Sequence, residues 1–135
     1  MQPKASHHAD WLFVAHDLLH LTSANTGDLT WWCVDRRAKE RDRAFVYQPL
    51  TGIVCAVEIV ELVARHGLCD SYGMATGQVR ILKTFDPPIP PKILKDERYV
   101  RMESFVRRNF QAKAFQISSK AVYDRILSLE VPKEE

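Results

Sequence analysis

The sequence has 135 residues, 46% of them hydrophobic, which indicates one globular domain and excludes an intrinsically disordered chain. Its 19 Lys and Arg residues against 17 Asp and Glu give a net charge of +2, which excludes a strongly basic coat for nucleic acid but allows a local basic patch. No apolar run approaches ~18 residues and residues 1–10 lack the apolar core of a signal peptide, so we expect a cytoplasmic protein without a membrane span.

The first half of the chain is rich in the signals of β-strands. A short apolar run at Trp11–Ala15 could begin a strand or a buried helix. The nearly continuous apolar run Ile53–Val57 is typical of a central strand that is covered on both faces. Pro49 and Gly52 favour a hairpin turn before it. Strands are predicted here at Thr30–Val34, Ala44–Tyr47 and Ile53–Val60.

The second half mixes strands and helices. Three glycines indicate an irregular loop over Arg65–Gly77. The four prolines of Asp86–Pro91 exclude a helix or a central strand and predict an extended crossing of the surface. Ser118 or Ser119 is expected to cap the last helix. In chain order we predict a strand at Gln78–Phe85, one helical turn at Lys92–Lys95, a helix at Glu97–Asn109, a closing strand at Ala114–Ile117 and the capped helix.

These elements predict a single α+β domain over residues 1–135, with five or six strands and two or three flanking helices. The sheet is expected to be mostly antiparallel. Curvature, or partial closure into a barrel, would bury its apolar strands and protect its edges.

The cysteines indicate no metal or redox motif. Cys33, Cys55 and Cys69 are widely spaced and form no CxxC pair. We therefore expect reduced thiols, buried or half-buried, in a reducing compartment.

No residue pattern proposes an enzyme. His16-Asp17-Leu18-Leu19-His20 resembles the HExxH spacing of zinc proteases, but Asp replaces the Glu and no third ligand follows at a suitable spacing. The chain also lacks a GxSxG elbow, a GxxxxGK[ST] phosphate loop and a GxGxxG loop after a strand. We expect no catalytic residues, no metal and no cofactor.

The aromatic residues and the basic segment beside them are more informative. The chain holds 13 aromatic residues, and two of its three Trp, Trp31 and Trp32, are adjacent on a predicted strand, so they point to opposite faces. Residues 35–43 follow with five cations and three acids. One interpretation is that this segment is a solvated charged turn. The other is that a Trp ring stacks on a base while Arg36, Arg37 and Lys39 contact the phosphates. A second cationic group is formed by Arg107, Arg108 and Lys113.

Five segments, in this order, resemble those of one known family. Asp10–Val14 is similar to an opening Tyr-Trp-Leu strand, and Thr30–Val34 to a Thr-Trp-Asp-Gly-Val segment. Arg41–Tyr47 is similar to Gly-Asp-Arg-Val-Leu-Phe-Tyr, and Gly52–Val60 to Gly-Ile-Val-Gly-Ile-Ala-Glu-Val-Val. Phe115–Ser118 resembles the closing strand before a helix. The family is the EVE domain of the PUA-like superfamily, which is related to YTH and ASCH domains.

The resemblance spans about residues 10–130, with tails at 1–8 and 131–135, and implies a PUA-like fold in which Trp11–Ala15 is a strand. It also implies a non-catalytic module that binds DNA or RNA and holds a flipped, modified base in an aromatic pocket. Trp31 matches the family's Trp and is the first candidate for the pocket wall; Trp11 and Tyr47 match further aromatics. Arg41 stands where the family has Gly, so this turn should avoid positive φ or differ in shape.

Two other classes of function stay open. One is a binder of a small molecule or nucleotide metabolite of the ASCH type, with or without hydrolytic activity. The other is a protein-interaction module, which the Pro-rich stretch Pro87–Pro91 and an exposed Trp32 would favour.

Overall fold

The computed structural model describes residues 8–15, 24–63 and 74–132. These ranges contain six strands and three helices, and none of these helices is long and apolar enough to cross a membrane. In chain order they are β1 (Asp10–Val14), β2 (Leu29–Asp35), β3 (Arg43–Gln48), β4 (Gly52–Val63), β5 (Met74–Ile89), α1 (Pro91–Asp96), α2 (Ser104–Arg107), β6 (Ala114–Ile117) and α3 (Lys120–Leu127).

The strands form one mixed sheet in the order β2-β5-β4-β3-β1-β6. Strands β1 and β3 pair in parallel, whereas every other pair in this order is antiparallel. Within the described residues β2 and β6 are the two edges, so the sheet is open rather than closed. The α+β prediction of a mostly antiparallel sheet with six strands and three helices is confirmed.

Apolar side chains are buried on both faces of the sheet. Leu12 of β1 belongs to a cluster that includes Leu94, Phe105 and Tyr123 from the helical half of the chain. Its neighbours Trp11 and Phe13 belong to a second cluster on the opposite face, because successive residues of a strand alternate in direction. Burial on both sides explains the uninterrupted apolar run of β1.

The predicted hairpin between β3 and β4 is confirmed. The chain turns between Gln48 and Gly52, where Leu50 has φ 69° and Gly52 has φ 122°. A Cβ atom at Gly52 would lie 2.0 Å from the carbonyl oxygen of Ile89, so the close approach of β5 requires glycine here.

Two predictions around β5 are wrong in part. The loop predicted over residues 65–77 ends earlier, because β5 already begins at Met74. Gly77, which suggested a loop, lies within the strand, where a Cβ would be only 3.3 Å from Val34. At the other end β5 continues through the prolines to Ile89, which pairs with Ile53 across an irregular register that tolerates missing N–H donors.

Of the predicted helices, the turn at Lys92–Lys95 is matched by α1 (Pro91–Asp96) and the capped last helix by α3. Ser119 caps α3, as its side chain accepts a hydrogen bond from the backbone N–H of Val122 at 3.3 Å. The helix expected over Glu97–Asn109 is reduced to the four residues of α2. The reason is that the Glu97 carboxylate accepts hydrogen bonds from the backbone N–H groups of Tyr99 and Val100, which folds the chain into turns instead.

Two local expectations need correction. Arg41 adopts φ 77° despite its side chain, and its N–H donates to Ile59 at 2.8 Å, so the turn does not avoid positive φ. Cys33 is half of a disulfide bond, and the other half-cystine lies outside the described residues. The expectation of reduced thiols is therefore wrong at Cys33, because spacing along the sequence carries no information about distance in space.

Candidate nucleic-acid interface

A cavity of about 780 Å³ opens at the carboxyl end of β1; we call it the larger cavity. Two backbone hydrogen bonds assemble its base: the N–H of Val14 donates to the carbonyl of Lys113, and the N–H of Ala15 donates to that of Tyr47. Its volume falls within the range of about 300–1,000 Å³ typical of ligand sites and suffices for a nucleobase. It is lined by residues 13–15, 32–33, 47, 49–50, 91, 95 and 109–113.

The inner wall of the larger cavity is a rigid aromatic pair. Tyr47 and Phe110 stack with ring centroids 4.1 Å apart and planes 3° apart. Asn109 and Phe110 have φ values of 53° and 60°, and the Phe110 N–H donates to Phe105 at 2.7 Å. Two consecutive left-handed residues are costly, so this turn is strained in a way that aims Phe110 at Tyr47. Burial raises the pKa of Tyr47, which keeps its phenol neutral.

Trp32 forms another wall of the larger cavity. Its ring lies 6.0 Å from that of Phe13, centroid to centroid, and it is half-buried, so part of the indole remains accessible. The large ring of a half-buried Trp is a suitable surface for stacking a planar ligand.

The rim of the larger cavity is positively charged. Lys95 and Lys113 are exposed and line it, and none of its described lining residues is Asp or Glu. The Lys95 ammonium is 6.0 Å from the centre of the Phe110 ring. Aromatic walls with a cationic, acid-free rim suit a ligand that combines a planar ring with negative charge.

A second cavity, of about 410 Å³, lies at the amino end of β1; we call it the smaller cavity. Trp11 is buried here and donates its indole N–H to Asp42 at 3.0 Å. The Asp42 carboxylate also accepts from the backbone N–H groups of Ala9 and Lys39, at 2.8 and 2.9 Å. The smaller cavity is lined by His8, Ala9, Trp11, Arg37, Lys39, Asp42 and Gln116.

Arg37 in the smaller cavity is already paired. Its guanidinium donates to both carboxylate oxygens of Asp35, at 2.9 and 3.0 Å, and lies 5.5 Å from the centre of the Trp11 ring. Burial acts to raise the pKa of Asp35, but hydrogen bonds from the side chain and backbone of Arg37, with its charge, hold it below the usual value.

The structure does not bring the predicted site residues together. Tyr47 lines the larger cavity, whereas Trp11, Arg37 and Lys39 line the smaller one. Trp31 and Arg36 are exposed and line neither of these two cavities. The roles assigned to these residues in base and phosphate binding stay predictions.

Several residues of the larger cavity were missed from the sequence. Trp31 was the first candidate for the pocket wall, and an exposed Trp32 entered only the protein-interaction alternative; in the structure Trp32 is half-buried and Trp31 is 45% exposed. The adjacent Trp pair indicated that one ring could line a site, but the sequence did not show which of the two faces the cavity. Lys113 belonged to a recognised cationic group, whereas Lys95 and Phe110 carried no signal.

Metal binding can be assessed only for the residues that the structure describes. His16 and His20 lie outside the described residues. Among the residues that the structure describes, no three His, Cys, Asp or Glu side chains cluster so that they could hold a metal ion.

The sequence matches no protein-family model and finds no relative in a search of curated proteins. Its fold, however, is similar to solved structures. A protein from Pseudomonas putida has a TM-score of 0.68 at 16% identity, with 91% of this chain and 100% of that chain covered. A protein from Rhodopseudomonas palustris has a TM-score of 0.67 at 16% identity, with 90% of this chain and 92% of that chain covered. Human THYN1, solved in complex with DNA that contains 5-methylcytosine, has a TM-score of 0.63 at 14% identity. The match covers 93% of this chain and 99% of that chain. These likenesses show that the chain shares the fold of these proteins, human THYN1 among them, as the resemblance to the EVE domain led us to expect.

Proposed function

We propose that this chain is a non-catalytic nucleic-acid-binding module that holds one base in the larger cavity. The observation that carries the proposal is the combination, in one cavity of about 780 Å³, of the Trp32 ring, the Tyr47–Phe110 stack and two rim lysines, with no acid among the described lining residues. Trp32 supplies the stacking surface, while Lys95 and Lys113 attract the adjacent phosphates.

The walls of the larger cavity offer groups for stacking a ring and for attracting phosphates. The described lining residues include no Asp, Glu, His, Ser or Thr that could act as acid, base or nucleophile. Tyr47 has a raised pKa, and Cys33 is in a disulfide rather than a thiol.

We further propose that the bound base carries a small apolar modification such as a methyl group. Apolar walls gain ~0.8 kcal/mol for each buried methylene, so such discrimination is modest. The human THYN1 structure, with its 5-methylcytosine-containing DNA, makes this base the first ligand to test.

A binding panel tests the proposal. Fluorescence anisotropy at low and high salt would compare DNA with and without 5-methylcytosine, and RNA of the same sequence with and without a methylated base. We expect binding that weakens with salt and a preference of about threefold to tenfold for one methylated form. Absence of binding to every nucleic acid at low salt would refute the proposal. A metabolite that copurifies with the protein, identified by mass spectrometry, would instead favour the small-molecule alternative.

A protein-interaction role is the second candidate, because two large apolar side chains are exposed together. Leu29 and Trp31 are 47% and 45% exposed and lie on the same face of the edge strand β2. Sedimentation velocity tests self-association through this face. A dimer that Trp31→Ala dissociates would support this role, and a monomer at every concentration would exclude a second copy as the partner.

A further inference from the structure

Positive charge is concentrated in the segment that forms one side of the larger cavity. Residues 91–113 hold seven Lys and Arg against three Asp and Glu, although the whole chain has a net charge of only +2. Lys95 and Lys113 of this segment line the cavity rim. The positive charge of the rim therefore continues along the segment.

Two of the three acids of this segment are engaged within the protein. Glu97 accepts a hydrogen bond from the Arg125 guanidinium at 2.8 Å. Glu103 is buried and accepts two hydrogen bonds from Ser118, at 2.6 and 2.9 Å. Both carboxylates are thus occupied by groups other than the arginines of their own segment.

Two arginines of the segment remain unpaired within the described part of the chain. Arg98 and Arg101 are exposed, and no described carboxylate forms a salt bridge with either. A phosphate can therefore accept hydrogen bonds from both guanidinium groups without displacing an internal partner.

Tyr99 presents an aromatic surface beside these charges. Its side chain is 56% exposed, and its ring centre lies 5.1 Å from the Arg98 guanidinium and 5.3 Å from that of Arg125. The Glu97 carboxylate, which binds Arg125, also accepts a hydrogen bond from the backbone N–H of Tyr99 at 2.7 Å. An exposed ring anchored in this way is a suitable stacking surface for a base. We call Arg98, Tyr99, Arg101 and Arg125 the Tyr99 cluster.

The Tyr99 cluster is close to the larger cavity along the chain. Tyr99 follows the rim residue Lys95 by four residues, and four residues of chain span at most ~14 Å. Nucleotides of one stacked strand repeat every ~3.4 Å, so this distance corresponds to at most about four nucleotides. A strand with one base in the cavity therefore needs only a short extension to reach the cluster.

We propose that the Tyr99 cluster is a second nucleic-acid contact, which binds the single strand on one side of the base held in the larger cavity. Arg98 and Arg101 bind phosphates, and Tyr99 stacks on an unpaired base. This inference rests on the proposed function and adds a direction and a length to it. Nucleotides on one side of the bound base contribute to the affinity more than those on the other side.

The test measures how the affinity depends on the length of the oligonucleotide. Fluorescence anisotropy at low salt would use single-stranded DNA with one 5-methylcytosine and one nucleotide on each side of it. The same DNA would then be extended by about five nucleotides on the 5′ side or on the 3′ side. Extension on one side should tighten binding about tenfold, and on the other side by less than about threefold. Equal gains on the two sides, or no gain on either, would overturn the inference but leave the proposed function intact.

Variants of exposed side chains assign the gain to the cluster. Arg98→Gln/Arg101→Gln should reduce the gain to less than about twofold and lower the salt dependence of log Kd for the extended DNA by about 1 to 1.5. Tyr99→Ala should weaken binding of the extended DNA about fivefold, whereas Tyr99→Phe should keep it, because stacking needs only the ring. The matched variant Arg36→Gln/Lys39→Gln removes the same charge elsewhere and should keep the full gain. A full gain in Arg98→Gln/Arg101→Gln would overturn the inference.

Three further outcomes separate the inference from the proposed function. Weaker binding in Arg98→Gln/Arg101→Gln but not in Trp32→Ala would support the cluster and refute base binding in the cavity. A glutamate decamer that binds as tightly as the extended DNA, and less tightly to the same double variant, would assign the cluster to an acidic protein partner and overturn the inference. Absence of binding to DNA and RNA of every length would refute both.

Discussion

The two cavities lie at opposite ends of β1 and use the same kinds of residue, yet they differ in whether those residues are already engaged. In the smaller cavity, Asp42 accepts three hydrogen bonds, Arg37 is paired with Asp35, and Trp11 is 3% exposed. In the larger cavity, Trp32 keeps an accessible surface, and none of the lining residues that the structure describes is an acid.

The difference shows why an aromatic residue beside arginines is a weak indication of a ligand site. Buried polar groups are usually satisfied within the protein, and a satisfied group gains little from a ligand. The smaller cavity is held together by such bonds and therefore serves the fold. Groups with remaining capacity, like those of the larger cavity, are the ones that can bind.

The largest expected effect comes from Asp42→Ala in the smaller cavity. It leaves the Trp11 indole and two backbone N–H groups without their acceptor, so the free energy of unfolding in urea should fall by about 3 kcal/mol. As a control, Glu40→Ala removes an exposed acid from the same turn and should change the free energy of unfolding by less than about 0.5 kcal/mol. If Asp42→Ala kept its stability but lost nucleic-acid binding, the two cavities would have been assigned the wrong roles.

The next effect concerns the charges of the two cavities. The double variant Lys95→Gln/Lys113→Gln should weaken oligonucleotide binding about tenfold at low salt and reduce the salt dependence of log Kd by about 1.5 to 2. The matched variant Arg36→Gln/Lys39→Gln removes the same charge from the basic turn and should change the affinity by less than about threefold. A larger loss from the matched variant would place the phosphates at the basic turn, as predicted from the sequence.

Some of these features could be predicted from the sequence and others could not. Strand β3 follows from its short apolar run, because burial on both faces leaves a clear local signal. The similar run of β1 left strand and buried helix open, and β6 shows alternation instead, with Gln116 exposed between buried Phe115 and Ile117.

The larger cavity does not follow from a local run, since Phe13, Tyr47, Lys95 and Phe110 come from distant segments and meet only through the order of the strands. The local sequence also does not determine which of the adjacent Trp31 and Trp32 is buried, because this depends on which face of β2 the rest of the protein covers.

Backbone conformations with positive φ were the hardest feature to predict. Arg41, Asn109 and Phe110 adopt them without being Gly. The Arg41 N–H donates to the distant Ile59, whereas the N–H groups of Asn109 and Phe110 donate to Val106 and Phe105 of the preceding turn. Gly52 was the easier case, since a Pro and a Gly between two apolar runs indicate a turn directly.

A smaller effect is expected from the pH dependence of the Asp35–Arg37 pair. Because the folded state holds the pKa of Asp35 below its unfolded value, the pair stabilises the fold above the unfolded pKa and this contribution is lost as pH falls through the folded pKa. Asp35→Asn should lower the free energy of unfolding near neutral pH by less than about 1 kcal/mol, since Arg37 is exposed. Urea titrations from neutral to acid pH should show this difference vanish; a difference that grew in acid would contradict the pairing.

The smallest effect is expected from Arg41→Gly in the same turn. Glycine adopts φ 77° without steric cost but loses more entropy on folding, so the free energy of unfolding should rise by about 0.5 kcal/mol. Differential scanning calorimetry would measure this as a slightly higher Tm. A lower Tm would mean that the Arg41 side chain stabilises the turn by more than its strain costs.

The most direct test of base binding in the larger cavity compares the two adjacent tryptophans. Trp32→Ala should weaken binding of the best oligonucleotide by about tenfold, Trp32→Phe should restore most of it, and Trp31→Ala should stay within about twofold of the unmodified chain. Circular dichroism would establish that each variant is folded before its affinity is measured. The reverse result, a loss with Trp31→Ala and none with Trp32→Ala, would contradict the assignment of the base to this cavity.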